Sequence, residues 1–193
     1  MIAIIDYGTA NVQSVKNALD YLEVDAIITP SPKIIKNADK IILPGVGSFG
    51  FMMEQLNEKE LVEPIKSIIK QGKPFLGICL GLQALFEESE ESPGVKGIAI
   101  FEGKVKKFTK GKVPQIGWNN IKPQKPGLFK ECYVYFVNSY YVVPEDESIV
   151  ATKTDYYVKF VSAIKFENIT ATQFHPEKSG KAGIEILRRW LQC

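Results

Sequence analysis

The chain has 193 residues, of which 45% are hydrophobic and 24% are charged, as is typical of one domain that can bury its own core. Its 24 basic and 22 acidic residues leave a net charge of +2, which argues against nucleic acid or an anionic membrane as a partner. The three cysteines, Cys79, Cys132 and Cys193, lie far apart, so neither a disulfide framework nor a structural zinc site is expected. We expect a single domain over residues 1–193, working in the reducing cytoplasm.

The first half of the chain alternates between predicted strands and predicted helices. Continuous apolar runs predict strands at residues 1–5, 25–29, 40–43 and 75–78, and helical spacing of apolar residues predicts helices at 12–22, 51–56 and 61–71, the first of them capped by Asn11. Apolar strands separated by helices indicate a parallel sheet covered on both faces. Such sheets place their sites in the loops at the carboxyl ends of the strands.

The second half has a different pattern, with proline and glycine between short apolar runs. These runs predict antiparallel strands and hairpins at residues 104–108, 133–137, 140–143, 149–152, 161–166 and 169–173. An amphipathic helix over residues 181–191 closes the chain. The expected fold class is α/β, with a mixed, mostly parallel sheet flanked by helices and with antiparallel strands in the second half.

A Gly-x-Cys-x-Gly sequence, residues 77–81, joins the strand at residues 75–78 to a helical pattern. This arrangement predicts a nucleophile elbow, in which Cys79 occupies a strained turn and the flanking glycines, Gly77 and Gly81, let neighbouring backbone pass close by. The positive end of the following helix would stabilise negative charge on the sulfur. The plain alternative is a buried structural cysteine.

A cysteine nucleophile needs a base, and His175 is the only histidine in the chain. It follows a predicted strand and precedes Pro176, which breaks the strand ladder and makes His175 and Glu177 loop residues. Glu177 is suited to orient the imidazole and to stabilise its charged form. Taken alone, a single histidine is as often a packed or surface residue, but the elbow cysteine favours the catalytic interpretation.

Acyl chemistry also needs donors for a developing oxyanion. The glycine-rich turn at residues 44–47 follows a predicted parallel strand and offers backbone N–H groups, and the Leu80 amide at the elbow is a second donor. The alternative is a merely flexible turn. A phosphate-binding loop is disfavoured because no Lys-Ser or Lys-Thr pair follows the glycines.

Two stretches, Gly77-Ile78-Cys79-Leu80-Gly81-Leu82-Gln83 and Phe174-His175-Pro176-Glu177, resemble the motifs of the class I (triad) glutamine amidotransferases. Further stretches are similar to the glutaminase subunits of imidazole glycerol phosphate synthases: Asp6-Tyr7-Gly8 with Asn11, Pro44-Gly45-Val46-Gly47-Ser48-Phe49, Gly117-Trp118-Asn119, Tyr135-Phe136-Val137 with Ser139-Tyr140, and His175-Pro176-Glu177-Lys178-Ser179. The resemblance extends from residue 6 to residue 179.

The resemblance implies a reaction and a role for each matching residue. Cys79 would attack the side-chain amide of glutamine, His175 would act as general acid and then base, and Glu177 would orient His175. The implied oxyanion donors are Val46, Gly47 and Leu80, and the implied glutamine-binding residues are Gly45, Gln83, Asn138, Ser139 and Tyr140. No cofactor and no metal are implied.

The resemblance also implies a heterodimer with a (β/α)8-barrel cyclase subunit, which takes the ammonia for imidazole glycerol phosphate synthesis in histidine biosynthesis. The implied interface residues are Asn11, Trp118, Tyr135 and Lys178. From the residues alone, these four could instead be a helix cap, a core aromatic, a strand aromatic and a solvated lysine.

At three positions the chain departs from the usual pattern of these subunits: Asn138 stands in place of histidine, Ala10 in place of glycine and Gly180 in place of serine. Asparagine replaces some imidazole hydrogen bonds but cannot relay a proton. These departures keep open a second role, as ammonia donor to another barrel partner that amidinates a bacterial surface sugar. A cysteine peptidase or deglycase on a similar scaffold, and a non-catalytic binding subunit, are the remaining hypotheses.

Overall fold

The computed structural model describes residues 1–8 and 11–193. The strands are β1 Ile2–Ile5, β2 Ala26–Thr29, β3 Lys40–Gly45, β4 Phe75–Cys79, β5 Glu88–Ser89, β6 Gly103–Lys107, β7 Gln115–Pro123, β8 Cys132–Asn138, β9 Tyr140–Pro144, β10 Val150–Tyr156, β11 Val158–Phe166 and β12 Ile169–Thr172. The helices are α1 Val12–Tyr21, α2 Pro32–Asn37, α3 Phe49–Glu58, α4 Val62–Lys70, α5 Leu80–Gln83 and α6 Gly180–Leu191.

The strands form one connected mixed sheet, with the order β2-β1-β3-β4-β12-β11-β10-β7-β8 and with β9, β6 and β5 branching from it. Strands β1 to β4 and β12 pair in parallel, and β12 then turns back onto β11 as an antiparallel partner. The α/β fold class is therefore confirmed. The parallel pairing of β12 with β4 differs from the prediction of purely antiparallel strands after residue 99, and it brings the residues that follow β12 beside Cys79.

Side-chain alternation along β1 shows that both faces of the sheet are covered. Ile2 and Ile4 pack into the cluster that contains Leu19 of α1 and Trp190 of α6. Ala3 and Ile5 pack on the opposite face, in the cluster that contains residues of α3 and α4. A third cluster, rich in phenylalanine, lies among the strands of the second half. In the part of the chain that is described, no helix has the length and apolar character needed to cross a membrane.

Three elements were missing from the predictions: the two-residue strand β5, strand β7 and helix α2. Strand β7, Gln115–Pro123, has a buried polar residue, Gln115, exposed apolar residues, Ile116 and Trp118, and a glycine between them, so its sequence shows little of the apolar alternation that marks a strand. Helix α2 starts at Pro32 and is capped by the Ser31 hydroxyl, which accepts from the Ile34 amide at 3.5 Å. Proline at the first helical position is favourable, because its missing N–H would have no partner there.

The elbow has the predicted backbone strain. Cys79 adopts φ +56° and ψ −105° at the end of β4, a conformation that non-glycine residues rarely adopt. A Cβ on Gly81 would lie 1.9 Å from the Leu43 carbonyl oxygen, and one on Gly77 would lie 2.7 Å from the Gly81 carbonyl oxygen. Both glycines therefore provide the close backbone approach that the elbow requires.

The predicted helix after the elbow is confirmed, and it is short. Helix α5 comprises four residues, Leu80–Gln83, begins directly after Cys79, and is followed by turns. Because a single turn carries only a few aligned peptide dipoles, its stabilising effect on the sulfur is smaller than that of a long helix. Side chains around Cys79 therefore also contribute to its electrostatic environment.

Candidate active site

The Cys79 side chain faces a cavity of about 290 Å³ at the carboxyl ends of the parallel strands. Its sulfur lies 3.9 Å from the Val137 carbonyl oxygen on β8 and 3.6 Å from the Gln173 amide nitrogen that follows β12. Cys79 is 8% exposed. The sulfur thus faces the cavity and contacts groups on β8 and on the segment that follows β12.

His175 and Glu177 form a buried pair beside the same cavity. The Nδ1 atom of His175 lies 2.7 Å from Oε1 of Glu177, and the two side chains are 4% and 1% exposed. The His175 amide donates to the Tyr135 carbonyl at 3.0 Å, and a 3₁₀ turn begins at Pro176. Hydrogen bonding from Nδ1 leaves the other ring nitrogen free to act toward Cys79.

The charge state of His175 depends on its two neighbours. Burial disfavours the imidazolium and lowers the pKa, but the negative charge of Cys79 and the hydrogen-bonded Glu177 carboxylate outweigh burial and raise the pKa of His175 from 6.5 to about 10. His175 is therefore an imidazolium at neutral pH. A protonated imidazole beside a cysteine can serve as a general acid for that cysteine's chemistry.

The raised pKa of His175 gives a direct spectroscopic prediction. In protein labelled at histidine, the single imidazole resonance should remain that of an imidazolium at pH 8 and should titrate near pH 10. In Cys79→Ala the transition should move toward 6.5, since the main cause of the increase is removed. A transition near 6.5 in the wild-type protein would contradict the ion-pair arrangement.

The same shift fixes the sign of a stability change. The folded protein keeps a proton on His175 that the unfolded chain releases above its ordinary pKa of 6.5. The resulting stabilisation is fully present below pH 6.5 and is lost as the pH rises through about 10. Denaturant unfolding of the wild-type protein and of Cys79→Ala at several pH values between these limits would measure the difference.

Most of the predicted site residues line this cavity. Together with Cys79 and His175, its walls contain the predicted residues Val46, Gly47, Leu80, Gln83, Asn138, Ser139, Tyr140 and Lys178. Gly45 lies instead in an adjoining small cavity with Asn11 and Glu177. A Cβ on Gly45 would be 2.6 Å from the Leu80 Cβ, so this glycine lets the turn at residues 44–47 pack against the elbow.

Two predicted substrate-binding amides already have protein partners. Asn138 donates through Nδ2 to the Tyr140 carbonyl at 2.9 Å. Gln83 donates through Nε2 to the same carbonyl at 3.4 Å and to Oε1 of Gln173 at 3.0 Å. The Tyr140 carbonyl thus organises one wall of the cavity, and asparagine at position 138 supplies a hydrogen bond without a titratable ring.

The structure adds two residues to the site that the sequence did not indicate. Glu91 lines the cavity, and its Oε2 atom accepts from the Phe49 amide at 2.7 Å, at the start of α3. Gln173 is completely buried and contacts the Cys79 sulfur. The only sequence signal for Glu91 was the acidic run around it, which is more typical of a solvated surface, and Gln173 gave no signal besides its place before the histidine.

Two of the four predicted interface residues, Trp118 and Tyr135, lie on the paired strands β7 and β8, and the other two, Lys178 and Asn11, line the cavities of the site. Trp118 and Tyr135 sit opposite each other on β7 and β8, with ring centroids 6.1 Å apart, and Trp118 is 56% exposed, so it is not a core aromatic. Lys178 lines the cavity rather than facing only solvent. Asn11, the fourth of these residues, contacts Glu177 of the buried His175–Glu177 pair.

Asn11 occupies the N-cap position of α1, but its side chain does not cap the helix within the described residues. Its Nδ2 donates to Oε1 of Glu177 at 3.3 Å, and its Oδ1 accepts from the Ser14 hydroxyl at 2.6 Å. Asn11 is therefore the N-cap residue, as predicted, but without the usual side-chain cap, because its oxygen accepts from the Ser14 hydroxyl rather than from a backbone N–H. Asn11 extends the hydrogen-bonded series from Glu177 toward the protein surface.

Two of the three residues that depart from the usual pattern of these subunits, Gly180 and Asn138, lie in the described part of the structure. Gly180 adopts φ +55° at the start of α6, next to the Trp118 ring, and glycine fits this left-handed conformation better than serine does. Ala10 lies outside the described residues. Asn138 keeps a buried position at the cavity wall.

The sequence model of the family described as glutamine amidotransferase class-I matches residues 3–192. The chain belongs to the class I glutamine amidotransferases. Solved structures agree on the fold of this enzyme: a glutamine amidotransferase superposes with a TM-score of 0.81 at 16% identity, covering 100% of this chain and 98% of that one. The PurLQS structure from Thermotoga maritima superposes with a TM-score of 0.78 at 18% identity, covering 99% and 97%.

Relatives with higher identity carry one name, imidazole glycerol phosphate synthase subunit HisH. The relative from Pyrococcus furiosus is 50% identical over 98% of this chain and 97% of its own length. The relative from Methanothermobacter thermautotrophicus is 48% identical over 100% and 98%, and that from Aquifex aeolicus is 47% identical over 97% and 94%. These relatives confirm the subfamily that the sequence motifs resemble and do not favour the sugar-amidinating alternative.

Proposed function

We propose that this amidotransferase hydrolyses glutamine to glutamate with Cys79, His175 and Glu177, as one cytoplasmic domain. We further propose that it passes the ammonia to a (β/α)8-barrel cyclase subunit for imidazole glycerol phosphate synthesis in histidine biosynthesis. The observation that carries the proposal is the strained Cys79 in one cavity with a buried His175–Glu177 pair. The name shared by the relatives supports the pathway.

In the proposed hydrolysis each proton is carried by a residue of the site. The Cys79 sulfur attacks the side-chain carbonyl carbon of glutamine, and the oxygen takes the negative charge. The His175 imidazolium then gives its proton to the leaving nitrogen as ammonia departs and a γ-glutamyl thioester remains. Neutral His175 next takes a proton from water, which attacks the thioester, releases glutamate and restores the starting charges. Glu177 stabilises the imidazolium at both stages.

The cavity matches an α-amino acid in size and charge. Its volume of about 290 Å³ lies near the lower end of small-ligand pockets, roughly 300 Å³. Glu91 places a carboxylate on the wall, suited to the α-ammonium group of glutamine. Val46, Gly47 and Leu80 line the same cavity as Cys79, and their backbone N–H groups are the proposed oxyanion donors.

The outward face of the β7–β8 ribbon is the proposed docking surface for the cyclase. Its exposed apolar residues are Ile116, Trp118, Tyr133 and Val137, and the register of the two strands places them, with Tyr135, on one face. Exposed aromatic clusters of this kind are typical of protein interfaces. The ribbon also contacts the site directly, through the Val137 carbonyl beside Cys79 and the Tyr135 carbonyl bonded to His175.

Reconstitution with the cyclase subunit from the same organism tests the proposed function. Glutamate release from glutamine should require Cys79 and should rise when the cyclase and its ligand are present. A glutamine-mimicking diazo-ketone should label Cys79 completely and selectively. Turnover of peptides or glycated substrates without glutamine specificity would instead support the peptidase or deglycase hypothesis.

Trp118→Ala should weaken the complex with the cyclase by roughly 30-fold, since a central aromatic anchor typically contributes about 2 kcal/mol or more. Titration calorimetry of the two subunits would measure the change. Phe166→Ala is the matched control, because this aromatic is 40% exposed but lies at the opposite ends of the strands. Equal affinity of Trp118→Ala and the wild-type protein would place the interface elsewhere.

A further inference from the structure

We propose that Gln173 is a further catalytic residue, whose side-chain N–H binds the Cys79 sulfur, and that Gln83 is a positioning residue that fixes the direction of the Gln173 amide. The Nε2 atom of Gln173 lies 3.6 Å from the sulfur. This inference rests on the proposed function and adds to it a donor that acts on the nucleophile itself.

The position of Gln173 is set by the sheet. It directly follows β12, and its backbone N–H donates to the Ser162 carbonyl on β11 at 2.9 Å. The residue is 0% exposed, so its side-chain amide has no access to bulk water. A buried amide is costly unless its polar atoms have partners, and those partners here are the Cys79 sulfur and the Gln83 amide.

The direction of the amides follows from one backbone carbonyl. The Tyr140 carbonyl can only accept, so the Gln83 side-chain atom 3.4 Å from it must be the N–H₂ group. The same nitrogen lies 3.0 Å from the Gln173 side chain, which must therefore present its oxygen to Gln83. The N–H₂ group of Gln173 is left facing the sulfur.

The consequence is a fixed donor for negative charge on sulfur. A hydrogen bond to a charged acceptor is stronger than one to a neutral acceptor, so the Gln173 N–H favours the thiolate before attack and again when hydrolysis of the thioester releases it. The titratable groups around this sulfur are His175, with Glu177 behind it, and the cavity residues Glu91, Tyr140 and Lys178.

Alkylation of Cys79 by iodoacetamide at a series of pH values tests the proposal, with the modified peptide quantified by mass spectrometry. Gln173→Met keeps the length of the side chain but removes the donor. It should raise the midpoint of the alkylation profile by about one pH unit, a tenfold change in reactive fraction at lower pH. Thr170→Val is the matched control on β12, since this buried hydroxyl has no hydrogen-bond partner within the described residues, and it should leave the profile unchanged.

Gln83→Met should produce a smaller upward shift, because the Gln173 amide then loses the contact that fixes its direction. Gln173→Glu replaces the donor by an acceptor and should shift the midpoint further than Gln173→Met, and it also serves if the methionine variant fails to fold. Profiles of both Gln173 variants that coincide with the wild-type profile in folded protein would overturn the proposal. Because alkylation needs no glutamine, this outcome is distinguishable from failure of the proposed glutaminase function.

Discussion

Cys79→Ala is expected to abolish glutamine-dependent synthesis by the complex while leaving its ammonia-dependent synthesis at the wild-type rate. Without the sulfur no γ-glutamyl thioester forms, and the loss should be on the order of 10⁴-fold or more, as for other deletions of a catalytic nucleophile. In this proposal, ammonia is the only glutaminase product that the cyclase reaction requires. Free ammonium salt should therefore replace glutamine fully.

The two rates are measured in the same reconstituted complex, with glutamine or with ammonium salt as nitrogen donor. Cys193→Ala is the control, because this cysteine is exposed at the end of the chain and should not affect either rate. Loss of ammonia-dependent synthesis in Cys79→Ala, with the subunits still associated, would contradict the transfer of ammonia between subunits.

Local sequence carried enough information to predict the nucleophile. The spacing of Gly77, Cys79 and Gly81 requires a particular turn, and each glycine has a steric reason that can be stated before the fold is known. The His175–Glu177 pair could also be predicted from the sequence, because both residues lie in one short segment. These features are visible in short stretches of sequence, even though Gly81 makes its closest approach to Leu43 on a different strand.

Contacts between distant segments were not predictable in the same way. Gln173 reaches Cys79 because β12 pairs in parallel with β4. The sequence predicted only the antiparallel side of β12, its pairing with β11, and not the pairing with β4. Asn11 was expected to cap α1, yet its amide binds Glu177, 166 positions later in the chain. Residue types favoured at caps and turns carry no signal for such long-range partners.

Gly81→Ala is expected to cause the largest loss of stability among single methyl additions near the site. The new Cβ would lie 1.9 Å from the Leu43 carbonyl oxygen, and a backbone atom on β3 cannot rotate away as a side chain can. We expect a destabilisation of about 3 kcal/mol, at the upper end of the usual cost of overpacking. The elbow would have to separate from β3, which also carries the turn with Val46 and Gly47.

The free energy of unfolding in denaturant would measure this effect, with Gly72→Ala as the matched control. No atom lies within 4 Å of a Cβ added to Gly72, so Gly72→Ala should cost only the strain of its positive φ, +76°, about 1 kcal/mol. Gly81 does not have a positive φ, so the excess loss in Gly81→Ala over the control is a lower bound on the cost of the clash. A similar loss in both would mean that the elbow tolerates the extra methyl group, and that close packing of Gly81 against β3 does not hold Cys79 in its strained position.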